Sequence, residues 1–389
     1  MSNRTPVIVG VADFPLENGV VAGGGTPLSI IAHSTKEALE ECGLELKDVE
    51  GLTVAGSWGY PGVGQMMPLT VAEYMGMYPT YMDGTNVGGS SFELHLAKVC
   101  MAIEAGYIDT ALIAYGSTQR SYSERSLGGR APAFQAQFET PYGLPQPVGS
   151  YAMAARRHMH EFGTTSEDLA WIASNTRQWA ALNPMAWNRD ELTVKDVLES
   201  PMISDPLHLK DCCLVTDGGG AVIVTTLERA RNLKTKPIFI KGYGEATDHQ
   251  QILQMPDLTQ TAAAVSGPKA MKMAGVTHKD IDHLMIYDSF TITVLLTIES
   301  LGFCQKGEGG AFVRNGRTAP GGEVAMNTNG GGLSYCHPGM YGIFLLIEAT
   351  RQLRGECGER QVKDAKFSIC NGTGGVLSST GTVVLSNIQ

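Results

Sequence analysis

The feature that most constrains the fold is an internal repeat. Residues 274–290 lie over residues 42–58 at a constant offset of 232 without gaps, and glycine, Lys-Asp, Leu and Ser coincide between them. Apolar positions also fall together, as at Ile281 and Val49. An internal duplication of a β-α-β unit explains both the length of the chain and this spacing. Convergent patterning without common descent is the minor alternative.

Composition narrows the class of protein. With 389 residues, 43% apolar and 17% charged, the chain is globular and long enough for two domains or one large two-lobed core. A net charge of −10 without a basic cluster argues against nucleic acid, and the absence of 18 consecutive apolar residues argues against a membrane span. Eight cysteines without metal-ligand spacing predict no metal site and free thiols in a reducing cytosol.

Local signals predict alternating strands and helices. The first residues, Met1–Gly10, are typical of a first strand and not of a signal peptide. Further strands are predicted at Val49–Val54, Thr110–Tyr115 and Ala221–Thr225, and helices at Pro27–Cys42, Phe92–Glu104, Tyr151–Phe162 and Thr165–Leu182. The repeat predicts a first half at 1–230 and a second half at 236–389, with the basic segment Arg229–Lys236 as the link.

One stretch of the first half lacks this regular pattern. Residues 117–150 are rich in Gly, Pro, Ser, Gln and Arg and have little periodicity. A loop of that length is more often a lid or a binding element than a plain connector. Its arginines, Arg120, Arg125 and Arg130, are candidates to meet a phosphate, with simple solvation as the alternative.

The most informative loop is Asn327–Gly339, which is followed by the apolar run Met340–Ile347. Three consecutive glycines let the backbone turn tightly and approach a bound group. His337 is predicted where the loop becomes a helix, and the unpaired N–H groups of a first helical turn favour an anion or a developing oxyanion. The loop Gly88–Ser91 is its counterpart in the first half. A glycine-rich turn with a structural histidine is the alternative interpretation.

Two further segments are predicted to reach the same pocket. Cys370–Gly375 is predicted to be a loop that places a thiol beside backbone N–H groups freed by glycine. Tyr287–Phe290 closes a predicted strand and adds a phenol. Two halves that each offer a helix N-terminus at the same point of their fold would converge on one site.

Five motifs in a fixed order give the chain a resemblance to the thiolase superfamily, specifically its sterol-carrier-protein-type and acetyl-CoA-acetyltransferase-like branch. Gly331–Gly339 resembles the family's Gly-His-Pro loop, and Cys370–Gly372 its Cys-x-Gly loop. The other three are Tyr287–Phe290, Phe162–Leu169, and Ser204–Leu207 with Thr216–Gly218. The resemblance covers essentially the whole chain. It implies a duplicated α/β fold with two stacked mixed sheets in a five-layer αβαβα arrangement.

The resemblance also implies roles for individual residues. His337, together with Tyr287, would polarise a thioester carbonyl, and Cys370 would move a proton on or off the α-carbon of an acyl-CoA. The backbone N–H groups of Gly89 and Gly372 match the family's second oxyanion hole. Residues near His337 that are predicted to bind substrate are Asn329, Tyr335 and Tyr341.

The family's acylating cysteine is missing at its usual position. Counting back without gaps from Gly106, that cysteine falls on Gly89. The resemblance then implies an enzyme that holds an acyl-CoA enolate without forming an acyl-enzyme, as in the retro-aldol cleavage of a 3-hydroxyacyl-CoA by thiolase-like aldolases. In that interpretation Tyr287, or else Tyr335 or Tyr341, removes the hydroxyl proton, and Cys370 returns a proton to the α-carbon.

Two alternatives stay open. A true β-ketoacyl-CoA thiolase would use Ser90 or Ser91 as the nucleophile with His337 as the base, or would depend on a partner subunit. A catalytically silent acyl-CoA-binding subunit is the third hypothesis, although a pure binder has no need of His337 or Cys370.

The resemblance further implies a homodimer, with the apolar second half of the segment 60–80 consistent with an interface, and a small partner subunit with a zinc ribbon and an OB fold. The substrate is expected to be a CoA thioester, CoA being part of the substrate or a cosubstrate, with no tightly bound cofactor and a cytoplasmic location. The acyl group stays open among a steroid side chain, an aromatic β-hydroxyacyl group and short branched chains.

Overall fold

The structure, a computed structural model, describes residues 4–21, 23–57, 66–122 and 137–389. The strands are β1 (Pro6–Asp13), β2 (Gly51–Val54), β3 (Tyr81–Asp83), β4 (Thr110–Ser117), β5 (Met202–Ser204), β6 (Leu207–His208), β7 (Gly218–Thr226), β8 (Ile238–Thr247), β9 (His283–Ile286), β10 (Ala325–Met326), β11 (Phe367–Gly374) and β12 (Ser379–Ser386). The helices are α1 (Pro27–Cys42), α2 (Met67–Met75), α3 (Ser91–Glu104), α4 (Gln119–Tyr122), α5 (Val148–Phe162), α6 (Ser166–Ala181), α7 (Val194–Leu198), α8 (Leu227–Ala230), α9 (Ala263–Ala274), α10 (Thr291–Ser300), α11 (Gly309–Val313) and α12 (Gly342–Arg354).

The two halves contribute sheets with the same strand order. The first half is ordered β3-β2-β4-β7-β1 and the second β10-β9-β11-β12-β8. They are joined where β1 pairs with β8 through Val7–Phe239 and Ile8–Ile238. In each half, parallel neighbours lie on the outer side and antiparallel strands next to the junction. This matching order confirms the duplication.

The repeat keeps its register in three dimensions. Strands β2 and β9 start and end 232 residues apart, and so do the 3₁₀ turns Leu46–Asp48 and His278–Asp280 that precede them. Helices α1 and α9 both stop at a glycine in the left-handed region, Gly43 with φ 83° and Gly275 with φ 69°. Glycine ends a helix there because it lacks the Cβ that makes this conformation unfavourable.

Helices α3 and α12 lie between the two sheets. Helix α3 contacts strands of its own half and also β8, β11 and β12, while α12 contacts β11 and β9 and also β1 and β7 of the first half. Helix α1 packs against β1, β4 and β7, and α9 packs against β8 and β12 on the other side. The resulting helix, sheet, helix, sheet and helix layers confirm the expected stacked arrangement.

Local capping explains why several predicted bounds agree with the structure. Helix α1 covers the predicted residues because Thr26 caps its start and Gly43 ends it. Helix α6 begins one residue later than predicted because Thr165 is the cap, its side chain accepting the Asp168 N–H. The prediction of a loop at Cys370–Gly375 is wrong for all of these residues but Gly375, since the others lie inside β11, which pairs with β9 and β12.

The predicted lid at 117–150 is described in part. Helix α4, a 3₁₀ turn at Thr140–Tyr142 and the start of α5 belong to it, whereas Arg125 and Arg130 lie outside the described residues. Within the described part of the chain, no helix is long and apolar enough to cross a membrane. The same residues contain no group of three or more His, Cys, Asp or Glu side chains placed to hold a metal ion.

Candidate active site

The start of α12 and the loop before α3 touch at the centre of the molecule. A Cβ at Gly342, the first residue of α12, would lie 2.1 Å from the carbonyl oxygen of Gly89. Only glycine allows such an approach of two backbones. Gly372 of β11 packs against the same loop, since a Cβ there would lie 2.9 Å from the Cα of Ser90. The structure therefore brings together the three segments that the sequence predicted to converge.

Tyr287 and His337 form a buried hydrogen-bonded pair at this point. The Tyr287 hydroxyl lies 3.0 Å from His337 Nε2 and accepts the backbone N–H of Tyr341 at 3.2 Å. The Tyr287 ring packs edge-on against the His337 ring and the Tyr341 ring, with centroid distances of 5.7 and 5.8 Å. Burial raises the pKa of the Tyr287 phenol well above its ordinary value. The neutral phenol can thus donate to the imidazole nitrogen whenever that nitrogen carries no proton.

The Tyr287 ring fills the space beside Gly89. A Cβ at Gly89 would lie 2.2 Å from Cε2 of Tyr287 and 2.5 Å from the carbonyl oxygen of Thr373. Both distances are far below van der Waals contact, so no side chain fits at position 89 in this arrangement. A thiol at residue 89 and a phenol at residue 287 therefore exclude each other.

The tyrosines near His337 have different roles in the packing. Tyr341 stacks on His337 with an interplanar angle of 14°, and its hydroxyl donates to Asn329 Oδ1 at 2.8 Å. Asn329 Oδ1 also accepts the N–H of Gly331, so it anchors both the tyrosine and the loop. Tyr335 differs, because its hydroxyl donates to Asp13. The sequence left open which tyrosine meets His337, and the structure places Tyr287 and Tyr341 there.

Tyr335 belongs to a separate buried cluster. Its hydroxyl is bonded to the Asp13 carboxylate, which also forms an ion pair with Arg351 at 2.7 Å. Burial raises the pKa of the Tyr335 phenol well above its ordinary value, and the negative Asp13 beside it adds to the shift. This tyrosine fastens the loop to β1 and α12.

The loop that carries His337 differs from the sequence prediction. Residues Gly331–Tyr335 form a π-helical turn, and α12 begins only at Gly342. The prediction that His337 lies where the loop becomes a helix is wrong, since α12 starts five positions after it. Its backbone N–H is instead bonded to Thr216 Oγ1 at 3.0 Å.

Buried side chains hold the loop in place. Asp288 Oδ1 accepts the N–H of Gly332 at 2.6 Å, and Oδ2 accepts that of Leu333 at 3.2 Å. Burial raises the pKa of Asp288 to about 7, although these backbone N–H groups act in the opposite direction. The Tyr115 hydroxyl donates to the carbonyl oxygen of Pro338 at 2.6 Å. Residues of both halves thus hold the loop that carries the histidine.

Cys370 lies in the middle of β11 and is completely buried. Its thiol donates to the carbonyl oxygen of Leu345 in α12 at a sulfur–oxygen distance of 3.4 Å. Burial raises the pKa of the thiol well above its ordinary value, and the nearby carboxyl group of Glu93 adds to the shift. In this environment the protonated thiol is the favoured form of Cys370; the thiol is the form that gives a proton to the α-carbon, and the thiolate left behind is the form that takes one back.

The two serines after Gly89 are bonded within their surroundings. The Ser90 hydroxyl pairs with the Ser379 hydroxyl at 2.7 Å. The Ser91 hydroxyl donates to the carbonyl oxygen of Gly88 at 2.6 Å and accepts the N–H of Val87. Both hydroxyls therefore stabilise the loop before α3, while the Nε2 atom of His337 is bonded to Tyr287.

A cleft of about 340 Å³ opens beside the His337 loop. The Arg120 guanidinium lies over the Trp187 ring at 4.1 Å, and Arg177 Nε donates to Ser334 Oγ at 2.8 Å. Cys213 lines the cleft, and its backbone N–H donates to the carbonyl oxygen of Ser289, two residues after Tyr287, at 3.0 Å. Other lining residues are Ala173, Asn188, Leu192, Leu209, Lys210, Cys212, Leu214, Val215 and Leu333.

Sequence reasoning missed three neighbours of the site, Glu93, Tyr115 and Cys213. Tyr115 and Cys213 carry no local signal, because their place depends on pairing between distant strands. Glu93 had a weak signal, since it is an acidic residue four positions after Gly89 on a helix whose neighbouring residues are buried. Burying a carboxyl group is unfavourable, and such a residue is a candidate for function.

Comparison with known proteins shows which family the chain resembles. Residues 244–387 match the family described as "Thiolase C-terminal domain-like". An acetyl-CoA acetyltransferase of Methanothermobacter thermautotrophicus is 33% identical, over 92% of this chain and 94% of the relative. A 17-hydroxy-3-oxo-4-pregnene-20-carboxyl-CoA lyase of Mycobacterium tuberculosis is 32% identical, over 91% of this chain and 92% of the relative.

A solved structure is similar over the full length. The structure described as "Ltp2-ChsH2(DUF35) aldolase" superposes with a TM-score of 0.88 at 28% identity, covering 99% of this chain and 99% of that chain. The similar proteins thus include one named for acyl transfer and others named for carbon–carbon cleavage.

Proposed function

Because this chain belongs to the thiolase superfamily, as an enzyme of the acyl-CoA C–C lyase or acyltransferase type, we propose that it cleaves a 3-hydroxyacyl-CoA by a retro-aldol reaction. The products are a shortened acyl-CoA and an aldehyde or a ketone. The observation that carries the proposal is the Tyr287 ring beside Gly89, which leaves no space for an acylating thiol. Cleavage to an acyl-CoA enolate requires no acyl-enzyme.

The first proton transfer uses the Tyr287–His337 pair. Tyr287 takes the proton of the substrate's β-hydroxyl as it passes its own proton to His337 Nε2 across the 3.0 Å hydrogen bond. The N–H of Tyr341 donates to the same phenol oxygen and stabilises negative charge on it during the transfer. Burial disfavours a free phenolate, so the two transfers occur together.

The carbon–carbon bond then breaks toward the thioester. Its electron pair moves to the α-carbon and the thioester carbonyl, forming the enolate, while the β-carbon becomes the carbonyl carbon of the leaving product. Backbone N–H groups at Gly89 and Gly372 stabilise the enolate oxygen in this proposal. The Cys370 thiol gives its proton to the α-carbon. Nothing is oxidised or reduced, and no free CoA is consumed.

The cleft beside the His337 loop supports a CoA thioester as the substrate. It combines apolar walls, such as Leu209 and Leu214, with the basic side chains Arg120 and Lys210. A pantetheine arm combines methyl and methylene groups with amides, and the CoA phosphates are anionic, so this mixed lining suits both parts of CoA. CoA would enter as part of the substrate, with no tightly bound cofactor.

The test follows hydrogen at the α-carbon and the requirement for CoA. The protein is incubated in heavy water with acetyl-CoA and propionyl-CoA, and deuterium uptake is measured by mass spectrometry. We expect uptake in the wild type that disappears in Cys370→Ala, and cleavage of 3-hydroxyacyl-CoA substrates without free CoA. Unchanged turnover in both Tyr287→Phe and Cys370→Ala would reject the assignment. No uptake in the wild type would favour a silent acyl-CoA-binding subunit.

Acyl transfer is the second candidate, favoured by the 33% identity to an acetyl-CoA acetyltransferase. It would need Ser90 or Ser91 as the nucleophile, or a partner subunit. Both hydroxyls are bonded elsewhere, to Ser379 and to the carbonyl of Gly88. An oxygen ester would appear as a mass increase of the intact protein after incubation with acetyl-CoA, which the retro-aldol reaction does not produce.

We also propose that the protein is a cytoplasmic homodimer with a small zinc-ribbon and OB-fold partner. Apolar side chains are exposed on the edge strand β3 and on the residues just before it, with Tyr78 at 95% and Met82 at 42% exposure. Such a patch favours a protein interface. The similar aldolase structure carries two component names, Ltp2 and ChsH2, and this supports a partner subunit. Size-exclusion chromatography with light scattering measures the oligomeric state.

A further inference from the structure

The carboxyl group of Glu93 is buried between the two halves and is not used in the reaction described above. Glu93 lies in the first turn of α3, and its exposed fraction is 1%. Neither side-chain oxygen has a hydrogen-bond partner in the ranges 4–21, 23–57, 66–122 and 137–389. A buried carboxyl group without a partner costs free energy and so calls for an explanation.

Glycines on three other elements make room for this carboxyl group. A Cβ at Gly372 of β11 would lie 2.1 Å from Oε2 of Glu93, and a Cβ at Gly342 of α12 would lie 2.7 Å from the same atom. Gly381 of β12 lies against the Glu93 side chain, because a Cβ there would be 2.6 Å from Cβ of Glu93. The acid therefore occupies a closely fitted space and not an incidental void.

The same two elements hold Cys370. Gly372 and Cys370 are two residues apart on β11, so both point to the face of the strand on which Glu93 lies. Leu345, whose carbonyl accepts the Cys370 thiol, lies three residues after Gly342 on α12. The carboxyl group and the thiol thus both lie between β11 and α12, and they are not hydrogen-bonded to each other.

We propose that Glu93 is a proton store that restores the Cys370 thiol after each turnover, a role that rests on the proposed reaction. Cys370 gives its proton to the α-carbon and becomes a thiolate. Because Glu93 is not hydrogen-bonded to Cys370, a water molecule that enters as the products leave bridges the two groups. The O–H bond of Glu93 breaks as its proton passes to this water, and the water gives one of its own protons to form the S–H bond on Cys370. His337 releases to the entering water the proton that it received from Tyr287, and the Glu93 carboxylate takes a proton from this water, so that the protons balance and no electrons are transferred.

The protonation state of Glu93 fits this role. Burial raises its pKa well above the ordinary value, and the approach of its own backbone N–H, which acts the other way, is the weaker influence. A neutral acid near Cys370 does not repel a thiolate there, whereas a carboxylate would. Because the stored proton keeps Glu93 neutral, no carboxylate charge opposes the formation of the Cys370 thiolate during turnover.

The experiment measures α-deuterium exchange of propionyl-CoA in heavy water with the full chain. Glu93→Gln keeps the size and a hydrogen-bond donor but cannot give up and regain a proton, and we expect exchange to fall roughly 100-fold. Glu104→Gln, an exposed acid on the same helix, is the matched control and is expected to exchange like the wild type. Because Glu93 acts through Cys370, Glu93→Gln should add no further loss in a Cys370→Ala background.

The outcomes separate this inference from the proposed function. Exchange that is lost in Cys370→Ala but unchanged in Glu93→Gln would overturn the proton store and leave the reaction intact. Absence of exchange in the wild type would reject the reaction itself and the proton store with it. If Glu93→Gln does not fold, Glu93→Asp retains an acid, and infrared spectroscopy is expected to show the carbonyl band of a protonated carboxyl group that shifts in this variant. No such band would overturn the inference.

Discussion

The two halves share one frame but end their equivalent strands differently. Strand β2 is followed by Ala55 and Gly56, whereas β9, 232 residues later, is followed by Tyr287 and Asp288. In the second half these two side chains meet His337 and hold its loop. In the first half the corresponding positions carry no polar side chain.

The loops before the central helices differ in the same direction. The first half offers only Gly88 and Gly89 before the serines at the start of α3, while the second half offers a π-helical turn, His337 and Tyr341 before α12. The bare backbone at Gly89 is what allows the Tyr287 ring to enter. The duplication therefore supplies two opposed helix starts, and the reactive groups are concentrated on the second.

The largest expected effect comes from removing the phenol that the second half places in the site. Tyr287→Phe removes the proton path between the substrate and His337, and we expect the rate of cleavage to fall about 10²- to 10⁴-fold. Tyr335→Phe is the matched control, because its hydroxyl is bonded to Asp13 away from His337. That control is expected to lose about 1 kcal/mol of stability and little activity. Equal loss of turnover in both variants would contradict the assignment.

Adding a side chain to the first half should be nearly as disruptive. Gly89→Ala places a Cβ 2.2 Å from the Tyr287 ring, and we expect the free energy of unfolding to fall by about 3 kcal/mol. Urea unfolding measures the change. Combining it with Tyr287→Ala should show a favourable coupling of about 0.5–3 kcal/mol, with incomplete recovery because the Thr373 carbonyl still lies 2.5 Å away. Strict additivity would mean that the two positions do not compete for space.

Asp288 gives the second half a pH dependence that Gly56 cannot give the first. Its pKa is raised by burial to about 7 in the folded protein, against an ordinary value of 3.8. The folded state binds the proton more tightly, so this contribution is complete below about pH 4 and is lost as the pH rises through about 7. We expect Asp288→Asn to be less stable than the wild type by about 1–3 kcal/mol at low pH. The gap should close and change sign toward about pH 8, because a pKa rise from 3.8 to about 7 is worth about 4 kcal/mol of wild-type stability.

Thermal or urea unfolding across that range measures the gap. Asp280→Asn, at an exposed turn whose aspartate has a lowered pKa, is the control and should show no narrowing between about pH 5 and about pH 8. A constant difference between Asp288→Asn and the wild type would mean that Asp288 does not titrate there.

The smallest expected effect tests whether the equivalent helix ends of the two halves contribute equally to stability. Gly43→Ala and Gly275→Ala both place a Cβ in the left-handed region, at φ 83° and 69°, and each should cost about 1–2 kcal/mol of stability. Gly275 faces open space, whereas a Cβ at Gly43 would lie 3.1 Å from the Lys234 side chain, which is flexible. We expect urea unfolding to show similar losses and unchanged turnover. A loss confined to one half would show that the halves are not equivalent.

Many helix and strand positions were predictable because they depend on short-range sequence signals. The helix Pro27–Cys42 was predicted from apolar spacing and Gly43, and the structure confirms its bounds. The capping pattern at Thr165 likewise indicated the start of α6. The sequence misplaced Cys370 in a loop and His337 at a helix start, because glycine-rich segments are compatible with several backbone conformations.

By itself the sequence determined the duplication, the order of strands and helices, and the segments that meet at the centre, since period, glycine stops and repeat offset are local properties. Only the tertiary structure decided that Tyr287 meets His337 while Tyr335 is bound by Asp13, that no side chain fits at Gly89, and that Glu93 is buried beside Cys370. These contacts join residues that are up to 322 positions apart. They depend on how two sheets and two central helices pack, and no short stretch of sequence contains that information.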